Sequence, residues 1–461
     1  MKVREGDEGA AVLKRNIIRT SAPAAAGPPA SLAARRILGR VLAGYRGKVA
    51  VRLWNGDIVH GASDAPCTVV FQHPAALRDL VVRRDLVRLA EAYLVGEIDL
   101  DGDAERLFDL VPHMQQLVLP WPEKWWLLRQ ALRLPARWEA EGSLSARPWR
   151  SRVNNTRQSI AHHYDIGNDF YRLWLDPEMV YSCAYFRDAD QTLAGAQRDK
   201  LDYICRKLRL APGQALLDVG CGWGALACWA ARNYGVRAHG ITLSEQQYRY
   251  AVERVRNEGL QGQVTIELRD YRDLPEEVLY DRIVSVGMFE HIGVANFPLY
   301  FRTVRRVLKP DGLFLNHGIT NDTGWRDTPI TRFMNRYVFP DGELARISDV
   351  SNAMEQAGFE IIDVEGLRRH YVLTLRQWIK ALEVNREQVV ELVGDTTYRV
   401  WRLYMAGSAW YFDEGSTNVY QVLAGHARQS LATPLRRDDL YEKKAGRTTP
   451  ERKHEMTESV T

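Results

Sequence analysis

The chain has 461 residues, of which 46% are hydrophobic and 26% are charged, and its net charge at pH 7 is +4. This length predicts two domains, the composition excludes an intrinsically disordered chain, and so small a charge gives no argument for nucleic acid as a partner. Five cysteines at unpaired spacings, with no CxxC motif, predict reduced thiols in a cytoplasmic protein. Neither a signal peptide nor a membrane-spanning stretch is indicated.

Residues 1–32 are rich in Ala and Pro and are expected to form a flexible leader, followed by a small α+β domain over residues 33–142. Apolar and polar residues alternate over 49–54, and Asn55-Gly56 follows, which is the pattern of a strand that enters a tight hairpin. Residues 68–71 predict another strand. Helical periodicity covers residues 74–83, 85–95 and 104–111.

The segment 117–138 combines leucines and cationic side chains with tryptophans. The tryptophans are Trp121, Trp125, Trp126 and Trp138. Such a segment is typical of an amphipathic helix in a membrane interface, and equally of a helix packed between two domains. The arginine-rich linker over residues 143–158 either meets anionic lipid headgroups or is a solvated connector.

Strand and helix patterns alternate over residues 159–435. Strands are predicted over 215–217, 236–243, 264–268, 282–286 and 313–315, and helices over 225–233, 244–257 and 297–308, with a turn at 309–312. This rhythm predicts an α/β fold with a doubly wound, mostly parallel, Rossmann-like sheet, preceded by the smaller α+β N-terminal domain. Residues 436–461 are charged and poor in apolar residues, so a disordered tail is expected there.

A predicted buried strand runs into Asp218 and then into Gly220, Gly222 and Gly224. Glycines let the backbone turn tightly and approach a ligand closely. A dinucleotide fold requires the longer G-x-G-x-x-G spacing, and a carboxylate ahead of the glycines suits a cationic ligand better than a pyrophosphate. The pattern therefore predicts an S-adenosylmethionine-dependent methyltransferase with these four residues in the cofactor site.

Two further segments are predicted to complete the cofactor site. Most methyltransferases place an acid at the end of the second strand to hold the ribose hydroxyls, and Thr242 stands there instead. Thr242 and Gln247 are therefore the expected ribose ligands, with Glu245 as the alternative, although Glu245 also suits the first turn of a helix. After the third strand, Asp270 is expected to accept from the adenine amino group and Tyr271 to stack on the ring.

Several motifs together resemble the bacterial cyclopropane-fatty-acyl-phospholipid synthases and their mycolic acid relatives. The resemblance covers residues from about 159 to about 426 and rests on the combination of motifs. The matching stretches are AHHYDIGNDFY at 161–171, YSCAYF at 181–186, the glycine loop, GITLS at 240–244, VSVGMFEHIG at 284–293 and HYVLTL at 370–375. The N-terminal domain resembles that of the longer, phospholipid-acting members only loosely.

The resemblance implies transfer of a one-carbon unit from S-adenosylmethionine to the cis double bond of an unsaturated phospholipid acyl chain, then proton removal and closure of a cyclopropane ring. It implies bound bicarbonate as the general base. No metal is indicated, since no His/Cys group has the spacing of metal ligands. The residues that correspond to the ligands of the bicarbonate are Cys183, Glu290, His317, Tyr371 and the backbone of Ile319. Tyr164 and Tyr171 are expected near the cofactor or the developing cation, because an aromatic face favours positive charge.

A lipid substrate implies a peripheral protein at the inner face of the membrane, and a homodimer through the N-terminal domain is expected from the resemblance alone. Phe186 stands where Trp is common, and Asn316 and Gly318 flank His317, which leaves the product open. One alternative is a fatty acid C-methyltransferase that gives methyl-branched or methylene products. Another is a non-catalytic lipid-binding protein, against which the complete set of anion ligands argues.

Overall fold

A computed structural model of the chain describes residues 28–83, 85–136, 166–339, 342–429 and 433–441. The α-helices of its amino-terminal part are α1 (Pro28–Val41), α2 (Pro74–Arg83), α3 (Leu86–Leu94), α4 (Leu110–Gln116) and α5 (Trp121–Ala131). Its strands are β1 (Val49–Arg52), β2 (Ile58–His60), β3 (Cys67–Phe71) and β4 (Ile98–Gly102), in the order β2-β1-β3-β4. The predicted hairpin is present, since β1 pairs antiparallel with β2 and Gly56 has a φ of 86°.

Helix α1 begins at Pro28, so the leader predicted over residues 1–32 is too long at its carboxyl end. Ala30, Ala33, Ala34 and Ile37 are buried, at the three- and four-residue spacings that place side chains on one helix face. Burial of this face explains why an alanine-rich stretch folds as part of the domain. Residues 1–27 lie outside the described part of the chain.

The large sheet contains β5 (Ala215–Val219), β6 (Arg237–Thr242), β7 (Val264–Leu268), β8 (Tyr280–Val286), β9 (Leu308–Asn321), β10 (Phe359–Gly366) and β11 (Thr417–His426). Its helices are α6 (Asn168–Arg172), α7 (Leu193–Lys207), α8 (Ala225–Tyr234), α9 (Glu245–Asn257), α10 (Phe297–Arg306), α11 (Pro329–Tyr337), α12 (Ile347–Gln356), α13 (Arg368–Val384), α14 (Arg386–Val393) and α15 (Asp395–Glu414). The strand order is β10-β11-β9-β8-β5-β6-β7, and β5 to β9 run parallel whereas β11 runs antiparallel to both neighbours. The predicted doubly wound, mostly parallel sheet is confirmed.

The turn predicted at residues 309–312 lies within β9 rather than before it. The register against β8 slips there, because Tyr280 pairs with Leu308 whereas Arg282 pairs with Leu313. Such an irregularity tolerates Pro310, which has no N–H to donate to the ladder. The pattern indicated a break correctly but placed it outside the strand.

The two predicted domains share a continuous core, which corrects the expectation that each would bury its own. Leu38 of α1 belongs to the same cluster of buried side chains as Met405 of α15. An ion pair crosses the same boundary, where the guanidinium of Arg399 lies 3.1 Å from the carboxylate of Asp99. The amino-terminal sheet is therefore held against the helices that lie between β10 and β11 in the chain. The predicted linker over 143–158 lies outside the described residues.

Residues 433–441 pack onto the sheet domain, although the sequence predicts disorder from residue 436. Leu440 is buried, its carbonyl accepts from Arg206, and Arg437 forms an ion pair with Asp363 at 2.9 Å. The buried Leu440 and these polar contacts, together with a second ion pair between Arg209 and Asp439 at 3.1 Å, explain the difference. Nowhere in the described ranges is there a helix long and apolar enough to cross a membrane.

Candidate active site

The glycine loop lies where the strand order of the large sheet reverses. β5 has β6 on one side and β8 on the other, and the chain forms β6 and β7 before it crosses back to β8. Open α/β sheets bind their ligands at the carboxyl ends of the strands beside such a point. Gly220, Gly222 and Gly224 have φ values of 81°, 55° and 81°, in the left-handed region that favours glycine. The loop can therefore fold back and leave a cleft above β5.

One cleft brings together seven of the nine residues predicted to hold the cofactor. They are Asp218, Gly220, Gly222, Thr242, Gln247, Asp270 and Tyr271. Gly224 does not line the cleft; a Cβ there would lie 3.1 Å from the Cβ of Ala251, so this glycine lets α9 pack closely against the loop. Tyr164 lies outside the described residues.

Thr242 and Gln247 form a polar wall of this cleft. Thr242 Oγ1 donates to Gln247 Oε1 at 2.9 Å, and both side chains are buried. Glu245, the alternative ribose ligand, is outside the cleft lining and pairs with Arg249 at 2.8 Å on the surface of α9. The geometry therefore favours Thr242 and Gln247 as the groups that meet the ribose.

Asp270 and Tyr271 form the neighbouring part of the cleft lining, beside Thr242. The guanidinium of Arg272 donates to both carboxylate oxygens of Asp270, at 3.0 and 2.7 Å, and so fixes the orientation of the carboxylate. The ring of Tyr271 stands edge-on to that of Tyr300, with centroids 5.2 Å apart. This wall presents a fixed acceptor and an aromatic ring, which are the two groups expected for an adenine.

Asp218 is buried at the end of β5 and forms no ion pair or side-chain hydrogen bond with any residue that the structure describes. Burial raises the pKa of its carboxyl to about 7, and the nearby Lys200 opposes that shift. Lys200 is buried too; its Nζ donates to Ser182 Oγ at 2.8 Å, and burial lowers its pKa to about 8. Lys200 and Ser182 line the cleft but were not predicted, since nothing in the pattern of α7 distinguishes Lys200 from an exposed cation.

Glu290 and His317 lie near the carboxyl ends of β8 and β9. Glu290 Oε1 accepts from the backbone N–H of Ile319 at 2.6 Å, and His317 shares a strand face with Ile319, two residues on. His317 Nδ1 lies 3.1 Å from Nε2 of Gln421, its partner in register on β11. The backbone of Ile319, which was predicted as a ligand of bicarbonate, donates its N–H to the Glu290 carboxylate here, and its role toward bicarbonate stays a prediction.

Two buried polar atoms in this group, Glu290 Oε2 and His317 Nε2, have no hydrogen-bond partner in the described part of the chain. Burial raises the pKa of Glu290 to about 7 and lowers the pKa of His317 well below its usual value. His317 is therefore neutral, whereas Glu290 changes protonation near neutral pH. Because unpaired buried polar atoms are costly, the two atoms are suited to a small polar ligand.

Backbone contacts bring Cys183 and Tyr371 to the same place. The N–H of Leu367 donates to the carbonyl of Val419 at 2.8 Å, and Val419 is opposite Ile319 in the sheet. The carbonyl of Leu367 accepts from Cys183 Sγ at 3.8 Å and from the backbone N–H of Tyr371 at 3.1 Å. Burial raises the pKa of the Cys183 thiol, so it is a neutral donor.

Aromatic rings lie between the cofactor cleft and the predicted bicarbonate ligands Cys183, Glu290, His317 and Tyr371. Tyr181 lines the cleft, and its hydroxyl lies 3.3 Å from that of Tyr404. Burial, together with the nearby Glu290, raises the pKa of Tyr404 to about 12. The ring of Tyr171, which the sequence placed near the cofactor, lies 5.1 Å from that of Trp223 in the cleft wall. Such a wall accommodates an apolar chain and favours a positive charge beside the rings.

A family model described as mycolic acid cyclopropane synthetase matches residues 151–422, which is more than half of the chain. The chain belongs to this family. The match spans the glycine loop and all of the predicted anion ligands. It confirms the resemblance seen in the motifs.

Individual relatives agree with this assignment. The chain is 39% identical over 398 residues to a probable fatty acid methyltransferase of Pseudomonas putida. This alignment covers 85% of this chain and 95% of the relative. The chain is 41% identical over 261 residues to the cyclopropane-fatty-acyl-phospholipid synthase of Escherichia coli K12, covering 57% of this chain and 66% of the relative.

Two solved structures share the fold of the catalytic domain. The cyclopropane synthase MmaA2 from Mycobacterium tuberculosis has a TM-score of 0.56 at 32% identity and covers 59% of this chain and 99% of its own. The mycolic acid cyclopropane synthase CmaA1 complexed with SAH and CTAB has a TM-score of 0.55 at 35% identity, and covers 58% and 97%.

This member of the mycolic acid cyclopropane synthetase family is therefore an S-adenosylmethionine-dependent methyltransferase. The residues that line the cleft fit that cofactor: the buried carboxyl of Asp218 could balance a positive charge, Thr242 and Gln247 could bond hydroxyls, and Asp270 could accept from an adenine. The described residues contain no cluster of three or more His, Cys, Asp or Glu side chains suited to a metal ion.

Proposed function

We propose that this methyltransferase transfers a one-carbon unit to the cis double bond of an unsaturated phospholipid acyl chain and closes a cyclopropane ring. The buried atoms Glu290 Oε2 and His317 Nε2, without partners among the described residues, carry the proposal. Ring closure requires removal of a proton from the newly attached methyl group at a defined place, so a base must be held there. The name of the Escherichia coli relative, a cyclopropane-fatty-acyl-phospholipid synthase, supports the same product.

Bicarbonate fits the two unpaired atoms and would supply the basic oxygen when bound. Glu290 Oε2 would accept from its hydroxyl and His317 Nε2 would donate to one of its charged oxygens. The hydroxyl of Tyr371 would be a further donor, and the thiol of Cys183 would be another if its single proton turned from the backbone carbonyl to the anion.

The residues of the chain stabilise charge and exclude water. Bound S-adenosylmethionine supplies an electrophilic methyl group on a sulfonium. Asp218 would balance positive charge on the cofactor, and the rings of Tyr171 and Tyr181 would stabilise the cation that forms on the acyl chain. The buried aromatic wall keeps water away, which would otherwise capture that cation.

A second candidate is C-methylation of a fatty acyl chain to a methyl-branched or methylene product. The relative that matches most of this chain is named a probable fatty acid methyltransferase, and this observation favours the candidate. Phe186 stands where Trp is common in this family. Its side chain packs against Ala196 and against Ala184, the residue that follows Cys183. A different shape of the acyl site there would change which proton leaves the cation and hence the product.

We propose further that the phospholipid is presented by a membrane, to whose cytoplasmic face the protein binds peripherally. A homodimer through the amino-terminal domain remains a prediction from the family resemblance.

Product analysis tests these proposals. The full chain is incubated with S-adenosylmethionine, bicarbonate and vesicles of an unsaturated phospholipid, and the released fatty acids are examined by mass spectrometry and proton NMR. A gain of one CH₂, loss of vinyl protons and new upfield ring protons would establish cyclopropane synthesis. A methyl or methylene branch would establish the second candidate. No mass gain would contradict both and favour a lipid-binding role without catalysis.

Two further arms test the proposed base. Removal of bicarbonate is expected to abolish ring formation, and so is Glu290→Gln, which removes the carboxylate. Glu276→Gln is the matched control, because the side chain of Glu276 is 69% exposed and lies outside the cleft lining. Ring formation at the native rate without bicarbonate would contradict the proposed base but not the methyl transfer.

A further inference from the structure

Helix α5 exposes most of its aromatic side chains. Its buried positions are Leu127, Gln130 and Ala131, and this face packs against α1 and α2. On the opposite side, Trp121 is 71% exposed, Trp125 58% and Trp126 39%. A helix packed between two domains would bury such residues, so the structure corrects that interpretation of the segment.

The exposed side chains form a stripe. Trp121 and Trp125 are four residues apart and therefore lie on one helix face. Val118 before the helix and Leu132 after it are also exposed and extend the apolar surface. A contiguous apolar surface with several tryptophans on a water-soluble face marks an interaction site.

The charges beside the stripe are cationic. Lys124 and Arg129 of α5, and Arg36 of the adjacent α1, form no ion pair with any described residue, whereas the acidic Glu123 is neutralised by Arg40. Lysine and arginine can extend their charged ends past an apolar surface to reach anions. The surface therefore combines an aromatic stripe with uncompensated positive charge.

We infer that the exposed face of α5 docks on the surface of an anionic lipid bilayer. The indole rings lie at the level of the headgroups, and Arg36, Lys124 and Arg129 contact anionic headgroups. A second copy of the chain is a poorer occupant, because a twofold contact would place the same cations of both copies together. The inference rests on the proposed function only for the choice of phospholipid as partner.

Vesicle flotation of the full chain tests the inference. Vesicles of phosphatidylcholine are compared with vesicles that also contain phosphatidylglycerol. The double variant W121A/W125A is expected to lose on the order of tenfold or more in vesicle affinity, since two indoles leave the interface. The variant K124E/R129E is expected to lose binding selectively to the anionic vesicles, with a loss that shrinks at high salt.

The control is Val384→Ala, an equally exposed apolar residue at the end of α13, at 76%, which is expected to bind vesicles as the native chain does. All substituted side chains are at the surface, so unchanged thermal unfolding confirms that the variants fold. Native vesicle binding by W121A/W125A would overturn the inference. A native dimer that dissociates in W121A/W125A, seen by sedimentation, would overturn it in favour of a second copy.

Activity on detergent-dispersed unsaturated phospholipid separates this inference from the proposed function. W121A/W125A is expected to keep native activity on the dispersed substrate and to lose it on vesicles. If the native chain binds vesicles through α5 but modifies no dispersed phospholipid, the proposed function fails while the docking surface stands. If the variant loses activity on both substrates while it stays folded, α5 serves catalysis and the docking assignment is wrong.

Discussion

Gln421 Nε2 lies 3.1 Å from His317 Nδ1, and the two residues are opposite each other on β11 and β9. Both side chains are buried. An amide that donates to Nδ1 places the ring proton on Nε2, whereas an amide oxygen that accepts from Nδ1 leaves Nε2 as an acceptor. Gln421 therefore determines whether His317 offers a donor or an acceptor at the position where we propose the bicarbonate binds.

We expect Gln421→Leu to lower turnover with little change in the affinity for S-adenosylmethionine. The variant no longer holds the ring proton on Nε2, so the hydrogen bond from His317 to the proposed base is lost, at about 1.5–3 kcal/mol for a bond to a charged group, which corresponds to roughly tenfold to hundredfold in rate. Steady-state kinetics with both substrates gives the two effects separately. The matched variant Gln421→Glu keeps the size but raises the pKa of His317, so its pH–rate profile is expected to shift. Native turnover in the Leu variant would contradict this role.

The cofactor half of the site could be predicted because its residues are close together in the sequence. The glycine loop follows β5 directly, Thr242 is the last residue of β6, and Asp270 follows β7. The carboxyl ends of parallel strands lie at one edge of the sheet, so these residues are expected to come together. The structure places all of these segments in one cleft. The same local logic predicted the hairpin that turns at Gly56.

The other half of the site depends on contacts between distant parts of the chain. Gln421 reaches His317 only because β11 inserts antiparallel beside β9, and no pattern in the sequence predicted that pairing. Leu367, whose carbonyl joins Cys183 to Tyr371, contributes through its backbone and carries no sequence signal. The ligands of the proposed bicarbonate could therefore be predicted only from the family resemblance. The contacts that hold these ligands in place, such as those of Gln421 and Leu367, could not be predicted from the sequence.

Glu290→Gln is expected to change how stability depends on pH. Burial raises the folded-state pKa of this carboxyl from 4.5 to about 7, so the protonated form contributes stability that is complete below pH 4.5 and is lost as pH rises through about 7. The neutral amide escapes this loss. Near pH 8 the variant is expected to exceed the native chain in free energy of unfolding by on the order of 1–3 kcal/mol, and near pH 4 the two are expected to be similar.

Denaturant unfolding at several pH values, without cofactor or lipid, measures the difference. Asp218 contributes a dependence of the same sign in both proteins, because its pKa is also raised to about 7. The difference between the two curves therefore isolates Glu290. Parallel curves across this pH range would show that Glu290 is not buried as a neutral carboxyl.

Asp218 is expected to link cofactor binding to proton release. Its carboxyl has a pKa of about 7 without ligand, and a cationic cofactor beside it favours the ionised form. The affinity for S-adenosylmethionine should therefore rise with pH up to about 7 and then level off. Calorimetry in buffers of different ionisation enthalpy is expected to show protons released on binding near pH 6.

Asp218→Asn is expected to bind the cofactor more weakly and without this pH dependence. Asp327→Asn is the control, since the side chain of Asp327 is 79% exposed and outside the cleft. Proton release that persists unchanged in Asp218→Asn would assign the linkage to another group in the cleft, such as Lys200.

Gly318→Ala is expected to displace side chains of the active site. Gly318 lies between His317 and Ile319 in the sequence, and the ring of Phe289 packs directly on it. A Cβ at this position would lie 1.9 Å from Cε1 of Phe289, a ring that is buried and cannot swing into solvent. Overpacking of a core costs about 1–3 kcal/mol, and the shift of Phe289 moves Glu290, the next residue. We therefore expect lower stability and lower turnover, with nearly native affinity for S-adenosylmethionine.

Denaturant unfolding, kinetics and cofactor titration of Gly318→Ala measure these three effects. Gly262→Ala is the control, since a Cβ there meets no atom within 4 Å and should leave all three unchanged. A second substitution, Phe289→Leu, makes room for the added methyl group and is expected to restore part of the stability of Gly318→Ala. If the double variant is less stable than either single variant, residues 318 and 289 do not compete for the same space. The effect of Gly318→Ala must then have another cause than its contact with Phe289.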